Sequence, residues 1–274
     1  MVSTRRSMKA LVLLVVAAAA TACLVAPAFG QAPGNPVGAK TWIGHTQEIE
    51  DFMKSAEVVS MKTTSVGVTH PSHAILAPGG PVTDIAWKPL KPGRYEGRFE
   101  SYKSEIAAYE LDKVLGLNMV PPTVEKRVNG DLGAAVFWVK GARTFKELGG
   151  VPGQKGVEGP PAAHIAYFLK DMTKAKMFDD LIGNIDPNLG NWLLDTEWNI
   201  VLIDHSRALT DTKELYHQLL YFDPELWEKM KALDAASLTA AIGTWVEKGS
   251  IKAILERRDK MEQVIDKLKA AGRH

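Results

Sequence analysis

The chain has 274 residues, of which 46% are hydrophobic and 24% are charged, and its formal net charge is +1. These proportions are ordinary for a globular protein. The balanced charge gives no indication of nucleic-acid binding or of a basic membrane-binding surface.

The N-terminal segment predicts a secretory signal peptide over residues 1–30. A basic region with two arginines and a lysine precedes an almost unbroken apolar run over 10–27, and Ala28-Phe-Gly30 supplies a small-x-small cleavage site. The protein is therefore predicted to be exported, to the periplasm or the extracellular space, with no membrane span after cleavage. The alternative is a retained transmembrane anchor, because the run is just long enough to cross a bilayer.

Cys23 is the only cysteine of the chain. The preceding Ala20-Thr-Ala22 loosely matches a lipoprotein box, so a lipid anchor at Cys23 is another alternative. If cleavage follows Gly30, the mature chain has no cysteine, and its fold must rest on its core without disulfides. Removal of the signal also changes the net charge from +1 to about −2. The remaining residues, about 244, suffice for one two-lobed domain or two small ones.

The first part of the mature chain predicts a helix and a sheet. Residues 31–44 form a Pro/Gly-rich linker, and apolar residues then follow helical spacing over 45–58. Three short β-like runs over 61–69, 73–77 and 83–87 are separated by turns that contain Pro and Gly. This pattern predicts an antiparallel meander.

One clear helix interrupts the sheet. The polar residues 91–102, rich in Gly and Arg, predict a mobile surface insertion, and an amphipathic helix follows over 103–115 with a glycine at its end. Two further strands are predicted over 122–128 and 133–139. The Asn-Gly-Asp sequence between them is a strong hairpin signal.

The second half of the chain is predicted to be mainly helical. Beyond a Gly/Pro loop, helices are predicted over 161–178, 213–222, 224–232, 235–248 and 250–271. A sheet-rich segment over 45–140 followed by a helical segment over 141–274 is the outline of the protein-kinase fold. The predicted class is α+β and bilobal, with an antiparallel β N-lobe that contains one main helix and with a mainly helical C-lobe.

A polar hairpin is the exception among these helices. Two short apolar strands, 191–194 and 200–203, flank a polar turn. Asp186, Asn191 and Asp204 are spaced like the catalytic Asp, the metal-binding Asn and the metal-binding Asp of protein kinases. Phosphoryl transfer requires such a set, a proton acceptor beside oxygen ligands for a metal. Because Asp and Asn also cap turns, a purely structural hairpin is the alternative.

Upstream residues complete a candidate nucleotide site. Lys88 ends the third predicted strand and Glu105 lies in the first turn of the next helix, as do the phosphate-binding Lys and its partner Glu in kinases. The alternatives are a solvated Lys and a Glu that favours the helix dipole. A phosphate-binding loop is predicted between the first two strands, where Gly67 and Ser72 are the candidates.

Three segments resemble the secretory-pathway casein kinases (family with sequence similarity 20). Residues 105–124 (EIAAYELDKVLGLNMVPPTV) resemble the helix-and-strand motif of that family, and residues 178–186 (FDDLIGNID) resemble its approach to the catalytic loop. Trp87-Lys88-Pro89 resembles its nucleotide-lysine strand. Phosphatidylinositol kinases and bacterial persistence-toxin kinases share the pattern more distantly. The resemblance covers residues 67–209, and the absence of the disulfides of the animal enzymes fits a bacterial relative.

The resemblance implies ATP with Mg²⁺ or Mn²⁺ as the cofactors. It implies that Lys88 contacts phosphates and that Glu105 pairs with Lys88 or helps to hold the metal. It further implies that Asp186 is the catalytic base and Asp204 the principal metal ligand. Asn191 resembles the metal-binding Asn of ordinary and persistence-toxin kinases.

The chain departs from the family pattern in two places. Pro187-Asn188 stands where the family has Arg-His, which puts phosphate contacts there in doubt. His205-Ser206 stands where an x-Gly pair is usual, so the backbone after the metal ligand is less free.

The sequence therefore predicts an exported, metal-dependent phosphotransferase that moves the γ-phosphate of ATP to a hydroxyl of a protein, sugar or lipid acceptor. One alternative is a pseudokinase that binds a nucleotide or a partner, since ATP is scarce outside the bacterial cytoplasm. Another is an AMPylating enzyme that binds the nucleotide flipped. Zinc chemistry and serine-hydrolase chemistry lack their motifs in the chain.

Overall fold

The structure, a computed structural model, describes residues 40–63 and 71–273. These residues belong to one compact unit. The predicted signal peptide over residues 1–30 and the phosphate-loop candidate Gly67 lie outside the described residues. No helix in the described part of the chain is long and apolar enough to cross a membrane.

Five of the ten strands in the described part of the chain belong to one antiparallel sheet. In chain order the strands are β1 (Val58–Thr63), β2 (Ser72–Leu76), β3 (Asp84–Lys88), β4 (Gly93–Tyr95), β5 (Arg98–Glu100), β6 (Thr123–Val128), β7 (Asp131–Phe137), β8 (Arg143–Thr144), β9 (Trp192–Leu194) and β10 (Ile200–Leu202). The main sheet has the spatial order β1-β2-β3-β7-β6. β8, β9 and β10 form a second antiparallel sheet. Both predicted hairpins and the antiparallel order of the meander are thus confirmed. Most of the first predicted strand, 61–69, lies outside the described residues, and the observed β1 begins three residues earlier.

The helices surround these sheets. In chain order they are α1 (Thr46–Ser55), α2 (Tyr102–Leu115), α3 (Ile165–Ile182), α4 (Pro224–Lys231), α5 (Ala235–Ile242) and α6 (Lys248–Ala270). The predicted bounds of α2 are confirmed to within one residue. Ser101 caps its first turn by accepting a hydrogen bond from the backbone N–H of Lys103 at 3.0 Å, and Gly116 ends it with φ at 62°.

The main sheet has two buried faces, and alternation along β3 decides which side chain faces which layer. Ile85 and Trp87 pack in the cluster that includes the apolar residues of α1. Ala86 packs instead in the cluster that contains Ile106 of α2. Lys88, two residues after Ala86, therefore faces α2 and the cleft between the lobes.

The second half of the described chain has its own core. The largest apolar cluster joins α3, α4, α5 and α6 to the β9–β10 hairpin and includes Phe178, Ile200, Trp227 and Ile254. α2 contributes Tyr109 and its neighbours to the same cluster. The helix that carries Glu105 is therefore packed against both halves of the molecule.

The segment 91–102 contains a hairpin in place of the predicted mobile insertion. β4 and β5 pair through Arg94 and Phe99 around a turn at Glu96 and Gly97, whose φ angles are 48° and 81°. Positive φ at both central residues is the conformation that twists correctly into a two-residue hairpin. The prediction missed it because Glu at the first position is not a typical residue for such a turn.

The helix predicted over 213–222 is wrong, because that segment is non-helical. The backbone N–H groups of Tyr216 and His217 donate to Oδ1 of Asp180 on α3, at 2.7 Å and 2.9 Å. The carbonyl of Thr212 accepts from Arg257 on α6. Side chains that are distant in sequence thus satisfy the backbone groups that a helix would have paired.

Arg257 joins the end of α3 to this segment. Its side chain is fully buried, and its Nε donates to the carbonyl of Leu181 at 2.9 Å. Gly183, which ends α3 with φ at 61°, lies directly against the guanidinium group. A Cβ at Gly183 would come within 2.8 Å of the guanidinium carbon. The entry to the polar hairpin is therefore closely packed.

Gly183→Ala is expected to destabilise the protein more than Gly116→Ala does. Both glycines end a helix with nearly the same φ, 61° and 62°, so both variants carry the left-handed backbone cost of about 1 kcal/mol. Only Gly183 faces a buried guanidinium, which adds about 1–3 kcal/mol of overpacking. Urea unfolding of both variants measures the difference, and equal losses would contradict the packing role of Arg257.

Candidate active site

Three charged side chains that are distant in sequence converge in the cleft between the lobes. Lys88, at the end of β3, is only 7% exposed. Its Nζ donates to Oε1 of Glu105 on α2, and it donates to Oδ1 of Asp204 at 2.7 Å. Asp204 follows β10 in the opposite lobe. The fold thus brings the predicted phosphate-binding Lys, its partner Glu and the predicted metal ligand into direct contact.

Lys88 and Asp204 stabilise each other's charged forms. Burial acts to lower the pKa of Lys88, but the carboxylates of Asp204 and Glu105 outweigh it and raise the pKa. Burial likewise acts to raise the pKa of Asp204, and Lys88 lowers it. The cleft therefore holds a permanent cation between two carboxylates.

Glu105 uses both carboxylate oxygens within the protein. Oε1 accepts from Lys88, and Oε2 accepts from the backbone N–H of His205 at 3.0 Å. The side chain is only 3% exposed. Of the two roles that the resemblance implies, orienting Lys88 is the one that these contacts match directly.

Asp186, Asn191 and Asp204 lie at one end of the β9–β10 hairpin. The backbone N–H of Ile203, just before Asp204, donates to the carbonyl of Asn191 at 3.0 Å. The side-chain Nδ2 of Asn191 donates to the carbonyl of Asp186 at 2.9 Å. Asp204 has φ at 62°, a left-handed conformation that is uncommon outside glycine. The hairpin therefore fixes the relative places of all three.

Buried polar residues fix the loop that leads to Asp186. Nδ2 of Asn184 donates to Oδ1 of Asp179 at 3.0 Å, and its Oδ1 accepts from the backbone N–H of Asp186 at 3.1 Å. Nδ2 of Asn188 donates to Oδ1 of Asp186 at 2.8 Å. The Gly-Asn-Ile-Asp sequence is thus a hydrogen-bonded turn that ends at the candidate base.

Arg207 and Glu100 also belong to this site, although the sequence analysis did not select them. Nη1 of Arg207 lies 3.0 Å from Oδ2 of Asp186, and Nη2 lies 2.8 Å from Oε1 of Glu100. Neither residue belongs to a kinase motif that the spacing argument uses. The only signal in the sequence is a basic residue three positions after Asp204.

Ser72 does not share the face of Lys88. It pairs in register with Trp87, whereas His73 pairs with Ala86. Paired residues of adjacent strands lie on the same face of a sheet, so the Ser72 side chain points to the layer of α1. The register of β2 therefore directs the Ser72 hydroxyl away from the cleft.

His73 stands on the cleft face instead and links the sheet to the connection between the lobes. Its ring stacks on that of Trp138 with centroids 4.2 Å apart. Its Nε2 lies 2.9 Å from Oδ1 of Asp84, and Oδ2 of Asp84 lies 2.8 Å from Nζ of Lys140. β2, β3 and the chain that leaves β7 are thus joined at one edge of the cleft.

Solved kinase structures share this arrangement of lobes and cleft. A hydra Fam20 structure solved with sugar matches with a TM-score of 0.58 and 14% identity, over 82% of this chain and 89% of that chain. A Golgi casein kinase with Mn/ADP bound matches with a TM-score of 0.56 and 13% identity, over 80% and 75%. The Helicobacter pylori proinflammatory kinase CtkA matches with 0.51 and 14%, over 77% and 95%.

This chain has a Fam20-like atypical kinase fold. The predicted fold class and the resemblance to the secretory-pathway casein kinases are thereby confirmed. No protein-family model and no curated protein sequence matches the chain. The likeness is therefore one of structure, carried by the lobes and by the cleft between them.

A Fam20-like kinase fold implies a divalent metal beside Asp204, and the donor atoms here fit one. Oδ2 of Asp204 and Oδ1 of Asn191 have no hydrogen-bond partner among the described residues. Carboxylate and amide oxygens are ligands that Mg²⁺ and Mn²⁺ accept. In the described ranges no three His, Cys, Asp or Glu side chains converge as a metal site. Phosphates and water would therefore complete the coordination, as is usual for Mg²⁺.

Lys88→Met is expected to cost about 3 kcal/mol of stability, because it leaves two carboxylates in the cleft without their cation. Adding Glu105→Gln should recover part of that loss. Lys91→Met is the matched control, since Lys91 is 73% exposed in its ion pair and should contribute less than about 1 kcal/mol. Chemical denaturation of the variants gives the values, and equal stabilities of Lys88→Met and Lys91→Met would contradict the buried triad.

Asp84→Asn is expected to reduce the sensitivity of stability to acid. Burial acts to raise the pKa of Asp84, but hydrogen bonds from Lys140, Thr83 and His73 lower it from 3.8 to about 2. A lowered carboxyl pKa stabilises the fold above the ordinary pKa, and this stabilisation is lost as pH falls towards 2. Between about pH 5 and pH 3 the wild type should thus lose more stability than the variant. Urea unfolding across this pH range measures both losses. Parallel pH curves would contradict this role.

Proposed function

We propose that this protein is a metal-dependent phosphotransferase that moves the γ-phosphoryl group of ATP to a hydroxyl acceptor outside the cytoplasm. The observation that carries the proposal is the contact of Lys88 with both Glu105 and Asp204, beside the hairpin that presents Asp186 and Asn191. A cation for phosphates, oxygen ligands for a metal and a carboxylate base are the parts that phosphoryl transfer needs. The Golgi casein kinase with Mn/ADP bound supports both the nucleotide and the metal.

Each residue has a defined task in this proposal. Lys88, oriented by Glu105, contacts the phosphates of ATP. Asp204 and Asn191 would hold Mg²⁺ or Mn²⁺, which neutralises charge on the phosphates when bound. The acceptor oxygen forms a bond to the γ-phosphorus, the bond to the ADP oxygen breaks, and the hydroxyl proton passes to the carboxylate of Asp186.

The place of action and the acceptor class rest on separate observations. The signal-like residues 1–30 support export to the periplasm or the extracellular space. The acceptor belongs to the hydroxyl-bearing class, a protein Ser/Thr, a sugar or a lipid headgroup. The sugar in the hydra Fam20 structure supports keeping sugars in this class.

Variants at Asp204 and Asp186 should separate binding from chemistry. In a purified protein that comprises residues 31–274, the Asp204→Ala variant is expected to lose metal-dependent ATP binding. Asp186→Asn should keep that binding and lose transfer by about a hundredfold or more, since it removes the proton acceptor. Calorimetry with Mg²⁺ and with Mn²⁺ measures binding, and label from γ-labelled ATP measures autophosphorylation. Asp131→Asn is the control, because Asp131 is 55% exposed and lies outside the cleft.

Three outcomes would overturn the proposal. ATP binding without transfer by the wild type identifies a nucleotide-binding pseudokinase. Transfer of label from α-labelled but not from γ-labelled ATP identifies AMPylation. A folded protein that binds no ATP with either metal excludes both activities.

A further inference from the structure

We propose that Arg207 is a positioning residue that orients the candidate base Asp186 and ties it to the start of α2 through Glu100. This inference rests on the proposed phosphotransferase function, and it adds residues to which no kinase motif in the sequence points. It is carried by a chain of ion pairs that crosses the cleft between the lobes.

The contacts of Arg207 are those of a bridging group. Its Nη1 lies 3.0 Å from Oδ2 of Asp186. Its Nε donates to Oε1 of Glu100 at 2.8 Å, and its Nη2 lies 2.8 Å from the same oxygen. The side chain of Arg207 is 12% exposed and that of Glu100 is 3% exposed. A planar guanidinium with two carboxylate partners has its orientation fixed, so the carboxylate that it holds is fixed as well.

The hairpin segment that follows Asp186 has no cation of its own to orient this carboxylate. Between Asp186 and Asp204 the sequence contains no Lys or Arg, and Pro187-Asn188 directly follows the candidate base. Lys88 contacts Asp204 and Glu105 on the other side of the site. Arg207 is therefore the cation that the fold supplies to Asp186.

Glu100 places the other end of this chain at the first turn of α2. It ends β5 and directly precedes Ser101, the N-cap of α2. The backbone N–H of Ser101 donates to the carbonyl of Ser206 at 2.9 Å, one residue before Arg207. The start of α2 therefore reaches both sides of the site, because Glu105 in its first turn contacts Lys88 and Glu100, just before its N-cap, contacts Arg207.

The geometry leaves Asp186 able to accept a proton. Oδ1 accepts from Asn188 and Oδ2 from Arg207, and each carboxylate oxygen has a second lone pair. Two fixed donors hold the carboxylate plane while a lone pair remains for the acceptor hydroxyl. Since small displacements of a reacting group cost large factors in rate, loss of this support should lower kcat rather than nucleotide affinity.

The test uses residues 31–274 and the variants Arg207→Met, Arg207→Lys and Glu100→Gln. Arg207→Met should lower kcat by about tenfold or more while changing the Kd for Mg·ATP by less than about threefold. Arg207→Lys should recover part of kcat, because it keeps the charge but not the two-sided contact. Arg94→Met is the control, since Arg94 is exposed on β4 and donates only to the carbonyl of Gly97.

A double-mutant cycle supplies a readout that does not require activity. If Arg207 and Glu100 act as a unit, the losses of unfolding free energy for Arg207→Met and Glu100→Gln should be non-additive, and so should the losses in kcat. If Arg207→Met fails to fold, Arg207→Lys and Glu100→Gln carry the same comparison.

The failures are distinguishable. An active wild type with unchanged kcat in Arg207→Met overturns the positioning role alone. A rise in kcat would also overturn the positioning role, because Arg207 would then mask the base. A fall in ATP affinity as large as the fall in kcat would overturn it too. A wild type that transfers no phosphoryl group overturns the proposed function and with it the role of Arg207, whatever the stability cycle shows.

Discussion

The buried ammonium of Lys88 is the constraint on which the rest of this structure depends. Removing a charge from water costs several kcal/mol, and only well-placed opposite charges offset that cost. Here the two carboxylates come from different layers, Glu105 from α2 and Asp204 from the end of β10. The sheet, the main helix and the hairpin must therefore be in register with one another for the cation to be tolerated.

α2 satisfies most of that requirement. It packs on the cleft face of the main sheet through Ile106 and on the helical core through Tyr109. Its first turn and the two residues before it are attached to residues 205–207 at three places, through Glu105, Ser101 and Glu100. An element held by both lobes is a natural place from which to orient charged groups on the two sides of a cleft. The candidate phosphate-binding residue Lys88 and the candidate base Asp186 are thus both connected to the start of one helix.

The segment 212–217, for the most part predicted to be helical, is held in place by side chains of α3 and α6. Asp180 accepts two backbone hydrogen bonds from it, and Arg257 donates to it from α6. Burial lowers the pKa of Arg257 to about 10. The hydrogen bonds that its guanidinium donates to backbone carbonyls hold the side chain in this buried position. The order of this segment therefore comes from buried side chains in the described part of the chain.

Local signals were enough to predict most elements and to select the main polar residues. Gly116 marks the end of α2, and Asn129-Gly130 marks the turn between β6 and β7, because caps and turns depend on a few adjacent residues. Spacing alone selected Asp186, Asn191 and Asp204. The helix predicted over 213–222 failed for the opposite reason, since its backbone groups are satisfied by α3 and α6.

The sequence by itself determined the fold class, most of the elements and which charged residues were candidates for the site. These follow from periodicity, turn chemistry and motif spacing, which are properties of neighbouring residues. Only the tertiary structure decided that the Ser72 side chain faces away from the cleft, that Glu105 contacts both Lys88 and the backbone of His205, and that Arg207 contacts Asp186. Those facts depend on strand register and on contacts between residues far apart in the chain, as between Glu100 and Arg207. No local pattern encodes such contacts, because they form and contribute to stability only once both lobes have packed.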